Sequence, residues 1–196
     1  MLVLASASPR RRELLTQAGF TFEVHPAHIP EDPEPDEDPI RYVTRLARQK
    51  AEAVFRELAP THPNLSVLKV LGADTTVTLD NHILGKPESP EDAARMLRLL
   101  SGRTHRVITG IALISQTESG PRAEVAAEVT AVQFLTLSES EIHSYIATGE
   151  PNDKAGAYAI QGRAARWIPR IEGDYFNVVG LPISLVSTLL LSLPQF

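Results

Sequence analysis

The sequence contains no cysteine, which excludes catalysis by a thiol, iron–sulfur clusters and zinc sites built from thiolates. It also lacks an excess of basic residues, since 19 Lys and Arg stand against 24 Asp and Glu and give a formal net charge of −5 at pH 7. Non-specific binding to nucleic acid or to an anionic membrane depends on such an excess, so we expect neither partner. The sequence has no apolar run long enough to span a bilayer and no signal-type segment, so we expect a cytoplasmic location.

Several common enzyme fingerprints are missing as well. The six histidines show neither His-x-His nor His-x3-His spacing, so we expect no metal site made of histidines. The sequence also has no Gly-x-Ser-x-Gly, P-loop or Gly-x-Gly-x-x-Gly pattern, which removes the usual signatures of hydrolases, NTPases and dinucleotide-binding proteins. The composition itself is that of a globular protein, with 43% hydrophobic and 22% charged residues in 196, and is sufficient for a real core.

The first part of the chain alternates strand, helix and loop patterns. Residues 2–5 are typical of a short buried strand, and Ser8 followed by Pro9 predicts the N-cap and first position of a helix that ends at Gly19. Residues 26–39 hold five prolines and six acids, which predicts an extended surface loop. A second, strongly periodic helix is expected to start at Asp38-Pro39.

The rest of the chain continues the alternation. The second helix has an apolar stripe from Ile40 to Leu58. After it we predict short strands at 67–71 and 76–79 with a hairpin turn at 80–82, a capped helix from Ser89 to Leu100, strands at 107–114 and 122–137, a capped helix from Ser138 to Gly149, β-like pieces at 158–161 and 165–168, and a closing helix from Pro182. Together these patterns predict an α/β protein with a mixed twisted sheet flanked by helices, arranged in two lobes.

Three consecutive arginines, Arg10, Arg11 and Arg12, occupy the first turn of the first predicted helix. The macrodipole and the free backbone N–H groups already make that end positive, so cations are unfavourable there unless an anion binds. A strand, a Ser-Ala-Ser turn and a helix N-terminus with arginines are typical of a phosphate site. Arginines solvated at the surface are the alternative, and this fits Arg12 better than its neighbours.

Three more charged residues have positions that are open to two interpretations. Lys50 lies between Ala47 and Ala51 on the apolar stripe, where it either snorkels past the edge or projects into a cleft and meets phosphate. Asp74 follows an apolar run at the end of a buried element, where a carboxylate is either paired or metal-bound, or else serves as a cap in a turn. The position of Lys86, after the predicted hairpin, does not decide between a structural and a ligand-binding role.

A polar loop at residues 150–157 leads into a short apolar segment that ends at Gln161-Gly162. The amide of Gln161 presents a donor and an acceptor together, which suits the edge of a nucleobase and a backbone peptide equally well. Gly156 and Gly162 permit close approach of the backbone to a ligand, and both are also ordinary turn residues.

These residues fall into short motifs that run in order from the first strand to the last helix. The motifs are Leu4-Ala-Ser-Ala-Ser-Pro-Arg-Arg11 with Glu13-Leu-Leu15, Leu46-Ala-Arg-Gln-Lys-Ala51, Gly72-Ala-Asp-Thr75, Gly85-Lys-Pro87, Ser101-Gly102 with His105, Asp153-Lys-Ala-Gly156, Ile160-Gln-Gly162 and Asn177-Val-Val-Gly-Leu-Pro182. In this order and spacing they resemble the Maf family of nucleoside triphosphate pyrophosphatases. One departure is Arg163-Ala-Ala after Gly162, where many members of the family have a second glycine.

The resemblance implies one elongated, two-lobed Maf/ITPase-like domain over residues 1–196, with a central cleft. It implies an enzyme that splits a nucleoside triphosphate into monophosphate and pyrophosphate, with a divalent cation, Mg or Mn, as cofactor. The segment around Gln161 resembles the branch that acts on dTTP and UTP, in a house-cleaning role that extends to modified pyrimidine nucleotides. Members are often homodimers.

Site residues follow from the same resemblance. Asp74 is implied to be the catalytic carboxylate, as general base or as metal ligand, with Glu31 as a second metal ligand. The implied substrate-binding residues are Ser8, Arg10, Arg11, Lys50, Thr75, Lys86, Lys154 and Gln161.

Two other functions are weighed against this one. The first is a nucleotide-binding regulator of cell division that binds the triphosphate without productive hydrolysis. The second is a phosphatase that releases orthophosphate stepwise. Measuring which phosphate species is released separates all three.

Overall fold

Seven β-strands form one mixed sheet in the computed structural model, which describes residues 1–62, 64–80 and 82–192. The strands are β1 (Leu2–Leu4), β2 (Phe22–Val24), β3 (Lys69–Leu79), β4 (His82–Leu84), β5 (Thr104–Thr117), β6 (Gly120–Gln133) and β7 (Arg170–Glu172). Their order is β2-β1-β3-β5-β6-β7, and β4 pairs with β3. β1 runs parallel to both β2 and β3, whereas the other pairs are antiparallel. The predicted mixed α/β sheet flanked by helices is confirmed.

Six α-helices flank the sheet in the described part of the chain. They are α1 (Pro9–Gln17), α2 (Pro39–Leu58), α3 (Pro90–Leu100), α4 (Glu139–Ile146), α5 (Tyr175–Val179) and α6 (Ile183–Ser192). The predicted N-caps are confirmed, because the side chains of Ser8, Asp38, Ser89 and Ser138 each accept a backbone N–H of the helix that follows. No helix within the described ranges is long and apolar enough to cross a membrane.

Two glycines let α2 lie directly on the sheet. A β-carbon on Gly72 of β3 would stand 2.1 Å from the carbonyl oxygen of Ala47, and one on Gly110 of β5 would stand 2.5 Å from that of Val43. The stripe of α2 is accordingly buried from Val43 to Phe55, as predicted. Its predicted first member, Ile40, is instead 42% exposed.

The apolar core is divided along β3. At its start, Val70 and Leu71 belong to clusters that include residues of β1, α2 and α6, and at its end Val77 and Leu79 belong to a cluster with α3, α4 and Trp167. Between these clusters lie the polar residues 74–76. A polar interruption in a buried strand at the boundary of two apolar clusters is where a functional site is expected.

Three predictions of local structure are wrong. β3 is one strand rather than two short ones, because it pairs with β5 without a break from Lys69 to Thr78. The β-like pieces at 158–161 and 165–168 are instead turns and a 3-10 helix (Arg163–Trp167), in which backbone N–H groups bond to carbonyls three residues earlier. β2, β7 and α5 were not predicted. The hairpin of β3 with β4 is confirmed, although its turn residue Asn81 lies outside the described residues.

Candidate active site

A cleft of about 560 Å³ opens beside the middle of β3. It collects residues from β3, the N-terminus of α1, α2, the acidic loop before α2, the segment after β4 and the segment between α4 and β7. All ten predicted site residues line it: Ser8, Arg10, Arg11, Glu31, Lys50, Asp74, Thr75, Lys86, Lys154 and Gln161. Residues that are far apart in sequence therefore share one hollow.

Asp74 lies in the interior of β3, opposite Gly110 of β5, and not at the end of an element as the sequence indicated. It is 7% exposed, and its Oδ1 accepts a hydrogen bond of 2.7 Å from Lys50 Nζ. Burial raises the pKa of Asp74 above its ordinary value, against the opposing effect of the Lys50 and Arg11 charges. Its Oδ2 has no hydrogen bond to any described residue and remains available to a ligand or water.

Lys50 projects from α2 into the cleft rather than past the edge of the apolar stripe. Its ammonium is 2.7 Å from Asp74 Oδ1 and 2.6 Å from Glu31 Oε1, and the residue is 7% exposed. Partial burial raises the pKa of Glu31, but the hydrogen bond and charge of Lys50, with the charges of Lys86 and Arg11, lower it on balance. Two carboxylates therefore share one buried cation.

The acidic loop that carries Glu31 is fastened to α2. Tyr42 donates its hydroxyl to the carbonyl oxygen of Glu31 at 2.8 Å, and the Arg45 guanidinium binds both carboxylate oxygens of Glu37 at 2.7 and 2.6 Å. Burial, together with the nearby charges of Asp74 and Glu31, raises the pKa of Tyr42 to about 12, so its hydroxyl stays protonated. The prolines and acids that predicted a loop thus belong to a segment held against the cleft.

Arg11 binds the protein with most of its guanidinium. Its Nε donates to the carbonyl oxygen of Gly180 at 2.8 Å, its Nη1 to Ser6 Oγ at 3.1 Å and Ala73 O at 2.9 Å, and its Nη2 to Thr75 Oγ1 at 3.0 Å. Burial is the main cause that lowers the pKa of Arg11. Four of its five N–H groups are therefore used to join α1, β3 and the end of α5, which leaves one Nη2 hydrogen for a ligand.

Arg10 and Lys154 face each other across Asp153. Arg10 Nη1 lies 3.6 Å from Asp153 Oδ2, and Lys154 Nζ lies 2.5 Å from Asp153 Oδ1. Burial raises the pKa of Asp153, but its hydrogen bond to Lys154 and the Lys154 and Arg10 charges lower it overall. Arg12 is exposed and does not line the cleft, which agrees with its interpretation as a solvated arginine.

The other predicted residues define the rest of the wall. Ser8 lies at the start of α1, and Thr75 Oγ1 is 2.9 Å from Thr109 Oγ1. Lys86 and Gln161 are exposed side chains at the mouth, and neither has a hydrogen bond to the described part of the protein. Their polar groups are therefore available to a ligand.

Sequence reasoning assigned no role to Tyr42, Asp153, Glu150 or Tyr158. Asp153 and Tyr158 lie within or next to the motifs that contain Lys154 and Gln161, so their position in the sequence could have indicated a role. Tyr158 lines the cleft and bonds at 2.8 Å to Nε2 of His105, whose pKa burial lowers to about 3, so that this imidazole stays neutral. Nothing in the sequence indicated a functional role for Tyr42, because it is a single tyrosine among the polar residues of a helix.

The carboxylates of this site suit a divalent cation. Their oxygens lie 2.6 and 2.7 Å from the same Lys50 nitrogen, so Glu31 and Asp74 lie close together beside the cleft, with the Lys50 ammonium between them. Mg²⁺ is usually held by one or two carboxylates together with substrate phosphates. Among the residues that the structure describes, no group of three or more His, Asp or Glu could hold a metal alone. A metal here therefore needs further ligands, such as phosphate oxygens or water.

Comparison with known proteins agrees with this geometry. The family model described as Maf-like protein matches residues 1–193. A protein of Koribacter versatilis named dTTP/UTP pyrophosphatase is 54% identical over 186 residues, which cover 94% of this chain and 90% of that protein. Proteins of the same name from Moorella thermoacetica and Thermococcus onnurineus are 52% and 50% identical, and the alignments cover 96% and 95% of this chain and 93% and 94% of theirs.

Proposed function

The chain belongs to the Maf family, and we propose that it hydrolyses dTTP and UTP to the monophosphate and pyrophosphate. Relatives at 48–54% identity, each aligned over at least nine-tenths of this chain, carry the name dTTP/UTP pyrophosphatase, and this supports the assignment. The observation that carries it is the meeting of a buried carboxylate with several cations in one cleft. Modified pyrimidine nucleotides, as targets of a house-cleaning activity, belong to the same proposal.

The charge of the cleft suits a triphosphate. Of its described lining residues, five are Lys or Arg and three are Asp or Glu, although the whole chain has a net charge of −5. A nucleoside triphosphate carries about four negative charges, and such a cationic surplus in a partly enclosed site attracts it. We assign Arg10, Lys86 and Lys154 to the phosphates, with Ser8 and the free Nη2 hydrogen of Arg11 as additional donors.

Asp74 acts as the proton acceptor in this proposal. Its Oδ1 is held by Lys50, and its Oδ2 is free to take a proton from a water molecule directed at the α-phosphorus. Burial raises its pKa, which makes the carboxylate a better base than an exposed aspartate. The bond from the α-phosphorus to the bridging oxygen breaks, and the cationic side chains neutralise the pyrophosphate that leaves.

We propose Mg²⁺ or Mn²⁺ as the cofactor, held by Glu31 and the substrate phosphates, because Asp74 has its Oδ1 bound to Lys50 and uses its Oδ2 as the base. A bound divalent cation supplies charge neutralisation for the phosphates and lowers the pKa of a bound water. Chelation is expected to abolish pyrophosphate release, and adding back Mg²⁺ or Mn²⁺ is expected to restore it. Full activity in excess chelator would contradict this part of the proposal.

Gln161 is the proposed reader of the base. Its amide offers paired hydrogen bonds to N3–H and the O2 carbonyl of thymine or uracil, whereas cytosine presents acceptors at both N3 and O2, which no orientation of the amide can pair. Its side chain has no partner in the described ranges, which supports a role toward a ligand. The resemblance also implies a part in substrate choice for Thr75 and Arg10, which line the same cleft.

A nucleotide panel tests the function directly. With Mg²⁺ present, dTTP and UTP are expected to yield one pyrophosphate per nucleotide, and CTP and GTP much less. Binding without pyrophosphate would instead identify a regulator, and release of orthophosphate with nucleoside diphosphate would identify a phosphatase. Either result would overturn the proposal.

A homodimer, a cytoplasmic location and the lack of nucleic-acid binding remain parts of the proposal. Sedimentation at micromolar concentration tests the dimer. A gel-shift titration with DNA and RNA tests the lack of nucleic-acid binding. The chain's net charge of −5 supports this expectation.

A further inference from the structure

The segment that carries Gln161 is held by a carboxylate that does not line the cleft. Glu150 lies at the end of the turn after α4, half-buried, eleven residues before Gln161. Its Oε1 accepts a hydrogen bond of 3.0 Å from the backbone N–H of Arg163, and its Oε2 lies 3.2 Å from the same nitrogen. One carboxylate thus binds the backbone two residues beyond the proposed base reader.

Tyr145 of α4 extends this attachment to the other side of Gln161. Its hydroxyl donates to Glu150 Oε1 at 2.8 Å and accepts the backbone N–H of Ala159 at 3.1 Å. The ring is 1% exposed and packs edge-on against Trp167 at 5.0 Å, so the hydroxyl position is fixed by the core. Glu150 and Tyr145 therefore bind the backbone of this segment on both sides of Gln161.

Gly162 shows how closely the carboxylate approaches the segment. A β-carbon at this position would stand 2.0 Å from Glu150 Oε1 and 2.4 Å from Glu150 Cδ. The φ of Gly162 is −102°, which other residues adopt readily, so the close approach and not the backbone conformation requires glycine here. The glycine that follows Gln161 makes room for Glu150.

We infer that Glu150, acting through Tyr145 and the backbone of residues 159–163, is a positioning residue that sets the selectivity of Gln161 for uracil and thymine over cytosine. The inference rests on the proposed function. Gln161 has an exposed side chain with no hydrogen bond to the described protein. The position of its amide therefore depends on the backbone of the segment that carries it. Discrimination between bases by paired hydrogen bonds depends on that position.

Two variants weaken the attachment by different routes. Glu150→Gln removes the charge and replaces one of the acceptor oxygens that hold the Arg163 N–H, and Tyr145→Phe removes the hydroxyl while keeping the ring against Trp167. Both are expected to lower the ratio of kcat/KM for UTP to that for CTP by about tenfold. Hydrogen exchange at the amides of Ala159 and Arg163 is expected to accelerate in both variants.

Glu139→Gln is the matched control. Glu139, at the start of α4, is likewise a carboxylate with two short hydrogen bonds, both 2.8 Å, but its partner is Arg98 on the surface. Its loss is expected to leave the UTP-to-CTP ratio unchanged. Inhibition by pyrophosphate should stay the same in all three variants, because it reports on the cationic part of the cleft rather than on the base reader.

A double variant separates positioning from a general loss of structure. If Glu150 acts through Gln161, adding Glu150→Gln to Gln161→Ala causes no further fall in the ratio, whereas independent effects would multiply. An unchanged ratio in both Glu150→Gln and Tyr145→Phe, or multiplied effects in the double variant, would overturn the inference while the proposed function stands. A wild-type protein that releases no pyrophosphate would overturn the proposed function, and this inference with it.

Discussion

At Asp74, burial and ion pairing act in opposite directions on one carboxylate. Burial favours the protonated acid and raises its pKa, while the ammonium of Lys50 at 2.7 Å favours the anion. A catalytic base needs both effects, since it must be ionised before the reaction and still bind a proton during it. A substitution of Asp74 therefore tests the proposed mechanism most directly.

Asp74→Asn is expected to lower kcat about 10² to 10⁴-fold with nucleotide binding retained, because the amide keeps the shape but cannot accept the proton. Pyrophosphate release and calorimetric binding of a non-hydrolysable UTP analogue measure the two effects. Asp80→Asn is the matched control, since Asp80 is an exposed aspartate just beyond β3, paired with Arg103. Near-normal turnover of Asp74→Asn would remove this residue from the mechanism.

The pH dependence follows from the same carboxylate. Protonation of Asp74 removes the base, so kcat/KM is expected to fall as the pH decreases through its pKa. Because burial raises that pKa, the fall begins at a higher pH than for an ordinary aspartate of pKa about 3.9. Although partial burial raises the pKa of Glu31, the hydrogen bond and charge of Lys50 lower it on balance, so Glu31 stays ionised to a lower pH than an ordinary glutamate. An acid limb centred at or below the ordinary value would contradict this assignment.

At the scale of elements, the site depends on how closely α2 lies on the sheet. Lys50 reaches Asp74 because Gly72 and Gly110 allow the helix backbone to contact the strands. The sequence showed Gly72 only as a break between two strands and assigned no role to Gly110 inside a predicted strand, since glycine in a strand pattern does not by itself indicate a helix contact. The apolar stripe, by contrast, predicted the buried face of α2 without the structure.

Gly72→Ala is expected to destabilise the protein by about 1 to 3 kcal/mol, because its β-carbon would stand 2.1 Å from Ala47 O and force α2 away. The shift also separates Lys50 from Asp74 and lowers kcat. Denaturant unfolding and pyrophosphate release measure both effects. In Gly85→Ala the added β-carbon meets no atom within 4 Å, so its stability should change by less than about 0.5 kcal/mol. Equal stability of the two variants would contradict the packing argument.

The acidic loop gives a second test at this scale. Glu37→Gln weakens the paired contact with Arg45 that holds the loop, so Glu31 is expected to be less well placed and the Mg²⁺ concentration for half-maximal activity to rise about three- to tenfold. A metal titration measures this. Glu34→Gln is the control, because Glu34 lies farther from Arg45, at 3.7 Å, and is exposed. An equal response of both variants would show that the Glu37 contact does not hold the loop.

The whole molecule combines an acidic chain with a cationic cleft. Raising the salt concentration from about 50 to about 300 mM screens the attraction between cleft and triphosphate, so KM for UTP is expected to rise about three- to tenfold while kcat changes little. Steady-state kinetics at constant free Mg²⁺ measure both constants. A KM independent of salt would show that the lining cations do not attract the substrate.

Much of this architecture was predictable from local patterns, and the rest needed three-dimensional information. Caps at Ser8, Asp38, Ser89 and Ser138 fixed the helix starts because one side chain satisfies free N–H groups there. Residues 158–161 were misread because a short apolar run looks the same in a strand and in a turn packed on a core. The choice of Lys50 between surface and cleft depended on Glu31 and Asp74, which are distant in sequence.

The position of Asp74 within β3 determines how strongly this residue is protected from local unfolding. Its strand is bonded along most of its length to β5 and is bonded to β1 at its start, so it belongs to the part of the fold that opens last. The segments that carry Glu31, Lys86 and Gln161 are loops and turns with fewer such bonds. Local fluctuations outside the sheet can admit a nucleotide and release products while Asp74 keeps its position in β3, so turnover does not require the sheet to open.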